Sequence, residues 1–414
     1  MPNMIASRNL RYLVLGQLIS AIGDHFYLIA MPWLGLEITG SAFVAGTLLA
    51  VASLPRSAFL LLGGAVTDRY SSRSLLILTN SLQAVLMVVL GIITIASGVR
   101  LWFLYVLVFL SGFIDAFGLP AFNALLPLTV NEGDMEIGNI YLQGANMVSG
   151  VIGPALAGVT ISIVSRETGT ESTLTGLGVV FLMNAITFIA GISFFKRIRI
   201  RSEAQTRSES GDSLIQSIRS VFEYIRTEKQ LKNLIGLITV AGLFLTGIIR
   251  VGFPLLADRQ LAGGVRDFGY MTSVFGGGVL AGMVSVKILP KPPRRISGVL
   301  VLSIFAFLPA GMILLGFSPP FLTSLAIILV MGLSFGYVNI YLFSWLHRRT
   351  PSHLLGRVIA LVLFASIGLS PLSQMLVGYL LDWNIRATMI GVGSLLLVVL
   401  IARSANRELW SLQE

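Results

Sequence analysis

The sequence contains no cysteine and only three histidines. Without cysteine there is no disulfide, no thiolate metal site and no cysteine nucleophile. No stretch matches the phosphate-binding loop G-x-x-x-x-G-K-[ST], so ATP is not expected to supply energy to this chain. Charged residues make up only 12% of the sequence, whereas a soluble domain usually has about 25%. This scarcity of charge excludes an ordinary soluble protein.

Apolar residues dominate instead, with 55% of the chain hydrophobic and a mean hydropathy of +0.86. They form runs close to the roughly 20 residues that a helix needs to cross a bilayer. The pattern predicts an all-α membrane protein with twelve transmembrane helices in two sets of six. The predicted spans are 11–36, 42–66, 75–97, 101–128, 138–164, 174–195, 233–257, 265–288, 296–316, 320–346, 354–381 and 385–403.

The segment 196–232 separates the two sets of spans and carries nine Lys or Arg. It divides the chain into a first bundle (1–195), this linker and a second bundle (233–414). Ser213 and Gln216 resemble a capping box, and apolar residues recur after them at helical spacing. We expect an amphipathic helix there, lying on the inner membrane face or packed on its own cytoplasmic loops.

The distribution of positive charge predicts the orientation. If the linker is cytoplasmic, 22 of the 29 Lys and Arg lie in cytoplasmic segments and five in external loops. Excess Lys and Arg mark the side of the membrane that is not translocated, so both termini are expected inside. The formal net charge of +10 therefore reflects the loops, and we expect no nucleic-acid partner.

Residues 64–73, Gly-Ala-Val-Thr-Asp-Arg-Tyr-Ser-Ser-Arg, lie between the second and third spans. They resemble the G-x-x-x-D-R-x-G-x-R signature of the major facilitator superfamily, with serine at the second glycine. The resemblance implies the two-bundle major facilitator fold and a cytoplasmic gate formed by the signature. In that gate the glycine is expected to allow close backbone approach. The residues of this gate motif are Gly64, Asp68, Arg69 and Arg73.

Two further stretches, "GLPAFNALLPLTV" (118–130) and "GVIGPALAG" (150–158), resemble the fourth and fifth spans of the superfamily's drug- and siderophore-efflux branch. "RTPSHLLGRVIAL" (349–361) resembles the loop before that branch's eleventh span. That branch includes macrolide exporters and the enterobactin exporter. The Gly-Pro of the fifth span implies export rather than uptake. The residues of this export motif are Gly150, Gly153, Pro154 and Gly158.

Ionisable residues inside the predicted spans are the first candidates for a functional site, because charge is costly in a bilayer. Asp24, Arg56 and Asp115 fall near the middle of their spans, and the helical spacing of Gln17, Asp24 and Tyr27 forms a polar stripe. We predict that the three charges face one cavity and that Asp24 exchanges a proton. The full predicted set for proton coupling and substrate binding is Asp24, Arg56, Asp115, Arg250, Gln17, Tyr27, Gln143 and Asn146.

These residues also have other interpretations. Arg56, which follows Pro55, is equally well explained as a structural ion pair that holds two helices together. His25 is the single histidine in a span, and it is as consistent with helix packing as with titration. A membrane-embedded enzyme would need partners for that histidine, which makes an enzyme the weaker reading.

The sequence as a whole predicts a multi-pass secondary transporter of the bacterial plasma membrane, working by alternating access. Its expected cargo is an amphipathic or bulky organic compound, drug-like or siderophore-like, exported in exchange for protons. Its expected partners are this small-molecule substrate, protons and the lipid bilayer, without a cofactor, a metal or a catalytic residue. The alternatives are a lysophospholipid transporter of the same branch and, from another class, a membrane sensor or scaffold that does not transport.

Overall fold

The computed structural model describes residues 8–96, 98–130, 132–167, 173–199, 228–288 and 297–404. Helices account for nearly all of these residues, and no strand occurs among them. The predicted amphipathic helix near 213–226 lies outside the described residues.

Six long helices make up the first half of the chain. A short 3₁₀ turn, Glu132–Asp134, separates the fourth helix from the fifth. The helices are α1 (Arg8–Thr39), α2 (Ala42–Thr67), α3 (Ser72–Ile95), α4 (Leu101–Thr129), α5 (Met135–Glu167) and α6 (Leu174–Phe195).

The helices of the second half include two that are interrupted by π-helical turns, at Ile248–Gly252 and Phe364–Gly368. Such turns are rare and occur often at functional sites. The helices are α7 (Lys229–Gly247), α8 (Phe253–Gln260), α9 (Val265–Ile288), α10 (Ser297–Leu315), α11 (Phe321–Arg349), α12 (Ser352–Leu363), α13 (Ser370–Trp383) and α14 (Ile385–Ser404).

The helices follow the predicted spans. Among the described residues, eleven helical segments are long and apolar enough to cross a membrane. A shorter apolar segment, Leu300–Leu315, occupies the position of the ninth predicted span. Each π-helical turn joins two helices into one of these segments: α7 with α8, and α12 with α13. The all-helical prediction is therefore confirmed.

Contacts between residues divide the chain into two units. The first comprises 1–206 and 257–273, and the second comprises 207–256 and 274–414. The stretch 257–273 belongs to the first unit because it packs on α1 and α5. The Arg259 guanidinium donates to the Gly40 carbonyl (3.0 Å), and the rings of Trp33 and Phe268 stack with centroids 6.3 Å apart.

A tight turn joins α1 to α2 and sets the two helices in antiparallel directions. Gly40 ends α1 with a positive φ of 68°, a backbone conformation that glycine adopts without strain. Ser41 then caps α2 by accepting a hydrogen bond from the Val44 N–H (3.2 Å). Two antiparallel helices that share one end place residues at equal distances from the turn at the same depth.

Candidate functional site

Three charged side chains of the first unit lie together halfway along their helices. Asp24 precedes the end of α1 at Thr39 by 15 residues (39 minus 24), and Arg56 follows the start of α2 at Ala42 by 14 (56 minus 42). At about 1.5 Å per residue the two are therefore at nearly the same depth. Asp24 interacts electrostatically with Arg56 and with Asp115 of α4, and Arg56 also interacts with Asp115.

The cluster is open rather than packed into the core. Asp24 and Arg56 are exposed and Asp115 is half-buried, although all three are far from the helix ends. In the described part of the chain, Arg56 has no ion-pair contact within 4.0 Å of either carboxylate. Arg56 therefore lies within electrostatic range of both carboxylates without a direct ion pair to either.

Close packing of α2 on α4 brings Arg56 near Asp115. A Cβ atom on Gly112 would lie 1.8 Å from the Ala52 carbonyl oxygen, and one on Gly63 would lie 2.0 Å from that of Ala116. Only glycine fits at both positions, so the two backbones touch on either side of Asp115. Small residues allow this approach between transmembrane helices in general.

Gln83 of α3 completes the cluster, and the sequence analysis did not identify it. Its Nε2 donates to Asp115 Oδ1 (2.7 Å) and to the Ser111 carbonyl (2.9 Å), while its Oε1 accepts from the Ser111 hydroxyl (3.1 Å). Gln83 is buried, with 4% of its surface exposed. The signal available in the sequence was a glutamine within an apolar span, because such a side chain needs polar partners when it is buried.

The Tyr27 hydroxyl borders the same cluster. It is buried and lies near Ser111, but it forms no hydrogen bond of acceptable geometry with any described residue. A buried hydroxyl without a partner costs free energy. The Tyr27 hydroxyl is therefore a polar group beside Asp115 that has no hydrogen-bond partner among the described residues.

The other predicted site residues are only partly assembled with this cluster. Gln17 donates from Nε2 to Asn146 Oδ1 (2.9 Å), which ties α1 to α5. Gln143 is exposed on α5. Arg250 is exposed within the first π-helical turn of the second unit. Ser20 and Met31, which follow the same helical spacing on α1, are buried.

The sequence model of one protein family, the Major Facilitator Superfamily, matches residues 13–372 of the chain. The chain belongs to the Major Facilitator Superfamily. It is therefore a multi-pass membrane transporter and not an enzyme.

Relatives within the superfamily are efflux proteins of low identity. The multidrug efflux pump Tap of Mycobacterium tuberculosis is 26% identical over 91% of this chain and 88% of its own length. Macrolide efflux protein A of Streptococcus pyogenes is 22% identical, covering 84% of this chain and 82% of that protein. The enterobactin exporter EntS of Shigella boydii is 23% identical, covering 84% and 79%. The resemblance to the drug- and siderophore-efflux branch is thus confirmed.

Solved structures agree on the superfamily fold. A bacterial homologue of the iron transporter ferroportin, in an inward-facing state, matches with a TM-score of 0.73. The match covers 96% of this chain and 99% of that one at 18% identity. At this identity the likeness concerns the fold alone.

The residues of the predicted export motif take part in two helix contacts. Gly153 leaves room for His25 of α1, since a Cβ on Gly153 would lie 2.6 Å from the His25 Cβ, whereas a Cβ on Gly150 would be in ordinary contact with the His25 ring at 3.5 Å. Gly158 meets the start of α9, where its added Cβ would lie 3.0 Å from the Gly269 Cα. The Pro154 carbonyl also faces Gly269, at 2.6 Å from a Cβ built there. These residues thus pack α5 against α1 and, within the first unit, against the start of α9.

The predicted gate motif differs from the expectation at Gly64. A Cβ on Gly64 would meet nothing within 4 Å among the described residues. The backbones of α2 and α4 approach each other at the neighbouring Gly63 instead. Asp68 and Arg69 are exposed at the end of α2. Arg73 donates from Nε to the Phe195 carbonyl (3.2 Å) and from Nη2 to the Lys196 carbonyl. Arg73 therefore caps the carboxyl end of α6.

Proposed function

We propose that this transporter exports an amphipathic or bulky organic compound, drug-like or siderophore-like, in exchange for protons. The observation that carries the proposal is the cluster of two carboxyl groups, Asp24 and Asp115, within electrostatic range of one guanidinium, Arg56. The efflux relatives support the cargo class, because Tap and macrolide efflux protein A align over most of the chain.

The cluster has the composition that proton coupling requires. A carboxyl group in apolar surroundings holds its proton, whereas a nearby guanidinium favours the carboxylate. One guanidinium cannot interact equally with two carboxyl groups and a substrate. Movement of the arginine, an acid or the substrate therefore changes which carboxyl group is neutral. Ionisable groups inside membranes commonly form such proton relays.

We assign the proton exchange to Asp24. Asp115 accepts a hydrogen bond from Gln83 at 2.7 Å, which holds its carboxylate in place. Asp24 is exposed, and its electrostatic partners in the cluster are Asp115 and Arg56. Of the two acids, Asp24 is therefore the less constrained by its contacts and the better able to exchange a proton.

Export sets the orientation that we propose for the chain. Both termini and the basic segment 196–232 face the cytoplasm of a bacterial cell, as the excess of Lys and Arg predicts. Substrate then leaves the cytoplasm or the inner leaflet while a proton enters. The remaining residues proposed to line the path are Gln17, Tyr27, Gln143, Asn146 and Arg250.

The proposal is tested with inside-out vesicles, an imposed proton gradient and a panel of amphipathic dyes, macrolides and siderophores. The wild-type protein is expected to accumulate at least one compound and to lose the accumulation when a protonophore is added. Asp24→Asn is expected to abolish gradient-driven accumulation while retaining exchange down the substrate's own gradient. Removal of an essential proton carrier uncouples transport without removing the binding site.

The matched control is Asp258→Asn. Asp258 is an exposed acid of α8 whose Oδ2 lies 3.3 Å from Arg259 Nε, remote in sequence from the cluster. This variant is expected to transport at the wild-type rate. Normal gradient-driven transport by Asp24→Asn would exclude Asp24 as the proton carrier, and transport insensitive to the gradient would exclude proton antiport.

A further inference from the structure

A basic cleft lies at one end of the first unit, separate from the charged cluster. It has a volume of about 670 Å³ and is formed where α1 and α3 begin and where α4 and α6 end. Five basic side chains and one acid, Asp134, are among its described lining residues. The basic residues come from three separate parts of the chain: Arg8, Arg73, Lys196, Arg197 and Arg199.

The cleft is built by specific contacts. Asn9 clamps the backbone of Arg199 in both directions: its Nδ2 donates to the Arg199 carbonyl (2.8 Å), and its Oδ1 accepts from the Arg199 N–H (3.1 Å). Arg73 holds the preceding carbonyls of Phe195 and Lys196. The chain that leaves α6 is therefore fixed against α1 and α3.

The ring of Tyr12 orders two of the guanidinium groups. The Cζ atoms of Arg8 and Arg197 lie 5.6 Å and 5.9 Å from its centroid, which is within cation–π range. Arg8 Nε also donates to the Tyr12 hydroxyl (2.8 Å). Two charges from distant parts of the sequence are thus held beside one ring.

We propose that this cleft binds the head group of an anionic phospholipid. Fixed guanidinium groups match the planar, bidentate geometry of phosphate oxygens better than a mobile ammonium does. With five basic side chains against one acid, the concave site has a net positive charge and concentrates its field on an anion. The volume falls within the roughly 300–1,000 Å³ of small-ligand sites.

The position of the cleft favours a lipid over a soluble phosphate. Arg8, Arg73 and Lys196 lie at the ends of helices that are long and apolar enough to cross a membrane, and lipid head groups lie at the ends of such spans. Basic pockets between transmembrane helices bind anionic head groups for this reason. The proposal is independent of the transported compound and of proton coupling.

The test is native mass spectrometry of the purified full-length chain titrated with phosphatidylglycerol, with cardiolipin and with phosphatidylcholine. Anionic lipid is expected to occupy the wild-type protein at lower concentration than phosphatidylcholine. The double variant Arg8→Gln, Arg197→Gln is expected to weaken anionic-lipid binding by about tenfold, since each basic group contributes to attraction of an anionic head group. Phosphatidylcholine binding is expected to stay the same.

The control removes two positive charges elsewhere. Lys232→Gln with Lys287→Gln changes exposed residues of α7 and α9 outside the cleft and is expected to leave lipid binding unchanged. If the double arginine variant does not fold, Arg199→Gln is tested alone, because Asn9 holds its backbone rather than its side chain.

Equal loss in the control and cleft variants, or no preference for anionic lipid, would overturn the proposal. A parallel titration with inorganic phosphate distinguishes the source of the phosphate. If millimolar phosphate abolishes the preference for phosphatidylglycerol, the cleft is a site for a soluble anion and the lipid assignment is wrong.

Discussion

Gln83 Nε2 lies 2.7 Å from Asp115 Oδ1 and joins α3 to α4 inside the first bundle. The same amide group donates to the Ser111 carbonyl and accepts from the Ser111 hydroxyl. Gln83 thereby fixes the position of Asp115, the acid that interacts with both Asp24 and Arg56. Gln83, a neutral residue of α3, therefore holds the Asp115 carboxylate of α4 in its position in the cluster.

Replacement of Gln83 by Leu is expected to lower both stability and transport. The change removes the hydrogen bonds that Gln83 forms with Asp115 and Ser111, and an unsatisfied buried polar group costs about 1–3 kcal/mol. Thermal unfolding in detergent and gradient-driven transport measure the two effects. Asn80→Leu is the control, because Asn80 lies one turn away and donates to the Leu76 carbonyl of its own helix (3.0 Å). Equal transport by the two variants would argue against a positioning role for Gln83.

Adjacent glycines of α2 are expected to respond in opposite ways to alanine. Gly63→Ala places a methyl group 2.0 Å from the Ala116 carbonyl oxygen, and overpacking of this kind costs about 1–3 kcal/mol. Gly64→Ala meets nothing within 4 Å and gains helix propensity of up to about 1 kcal/mol. Melting temperatures in one detergent compare the pair. A lower melting temperature for Gly64→Ala than for Gly63→Ala would contradict the described packing of α2 on α4.

Arg73→Gln is expected to loosen the carboxyl end of α6. The variant loses the charge-assisted hydrogen bonds to the Phe195 and Lys196 carbonyls, worth about 1 kcal/mol where the group is partly exposed to solvent. Hydrogen exchange of the last turn of α6 measures the effect. Arg69→Gln, an exposed change in the same motif, is expected to leave that exchange unchanged. Faster exchange in both variants would indicate a general effect of charge rather than a cap.

Orientation is directly testable because the chain has no cysteine of its own. Gly98→Cys, in the exposed turn between α3 and α4, is expected to react with an impermeant maleimide in intact cells. Tyr70→Cys, 67% exposed between α2 and α3, is expected to react only after permeabilisation. The excess of Lys and Arg on the Tyr70 side is the reason. The reverse labelling pattern would invert the proposed topology.

The sequence alone predicted the helices and the charges that interrupt them. Apolar runs near the thickness of a bilayer specify transmembrane helices because backbone polar groups must pair within the segment. For the same reason Asp24, Arg56 and Asp115 were recognisable as exceptions within those runs. Their positions near the middle of their spans also made a common depth predictable. All of these properties are local or follow from counting along the chain.

Tertiary structure decided which side chains meet. Helical periodicity gives the face on which Gln83 lies but not the helix that this face contacts, so its bond to Asp115 could not be predicted. The close approach fell on Gly63 rather than Gly64 because the crossing of α2 and α4 depends on the packing of both helices. The basic cleft likewise required folding, since Arg8, Arg73 and Arg199 are far apart in sequence. Packing between distant segments brings such residues together, and no local pattern in a single sequence shows which segments will pack.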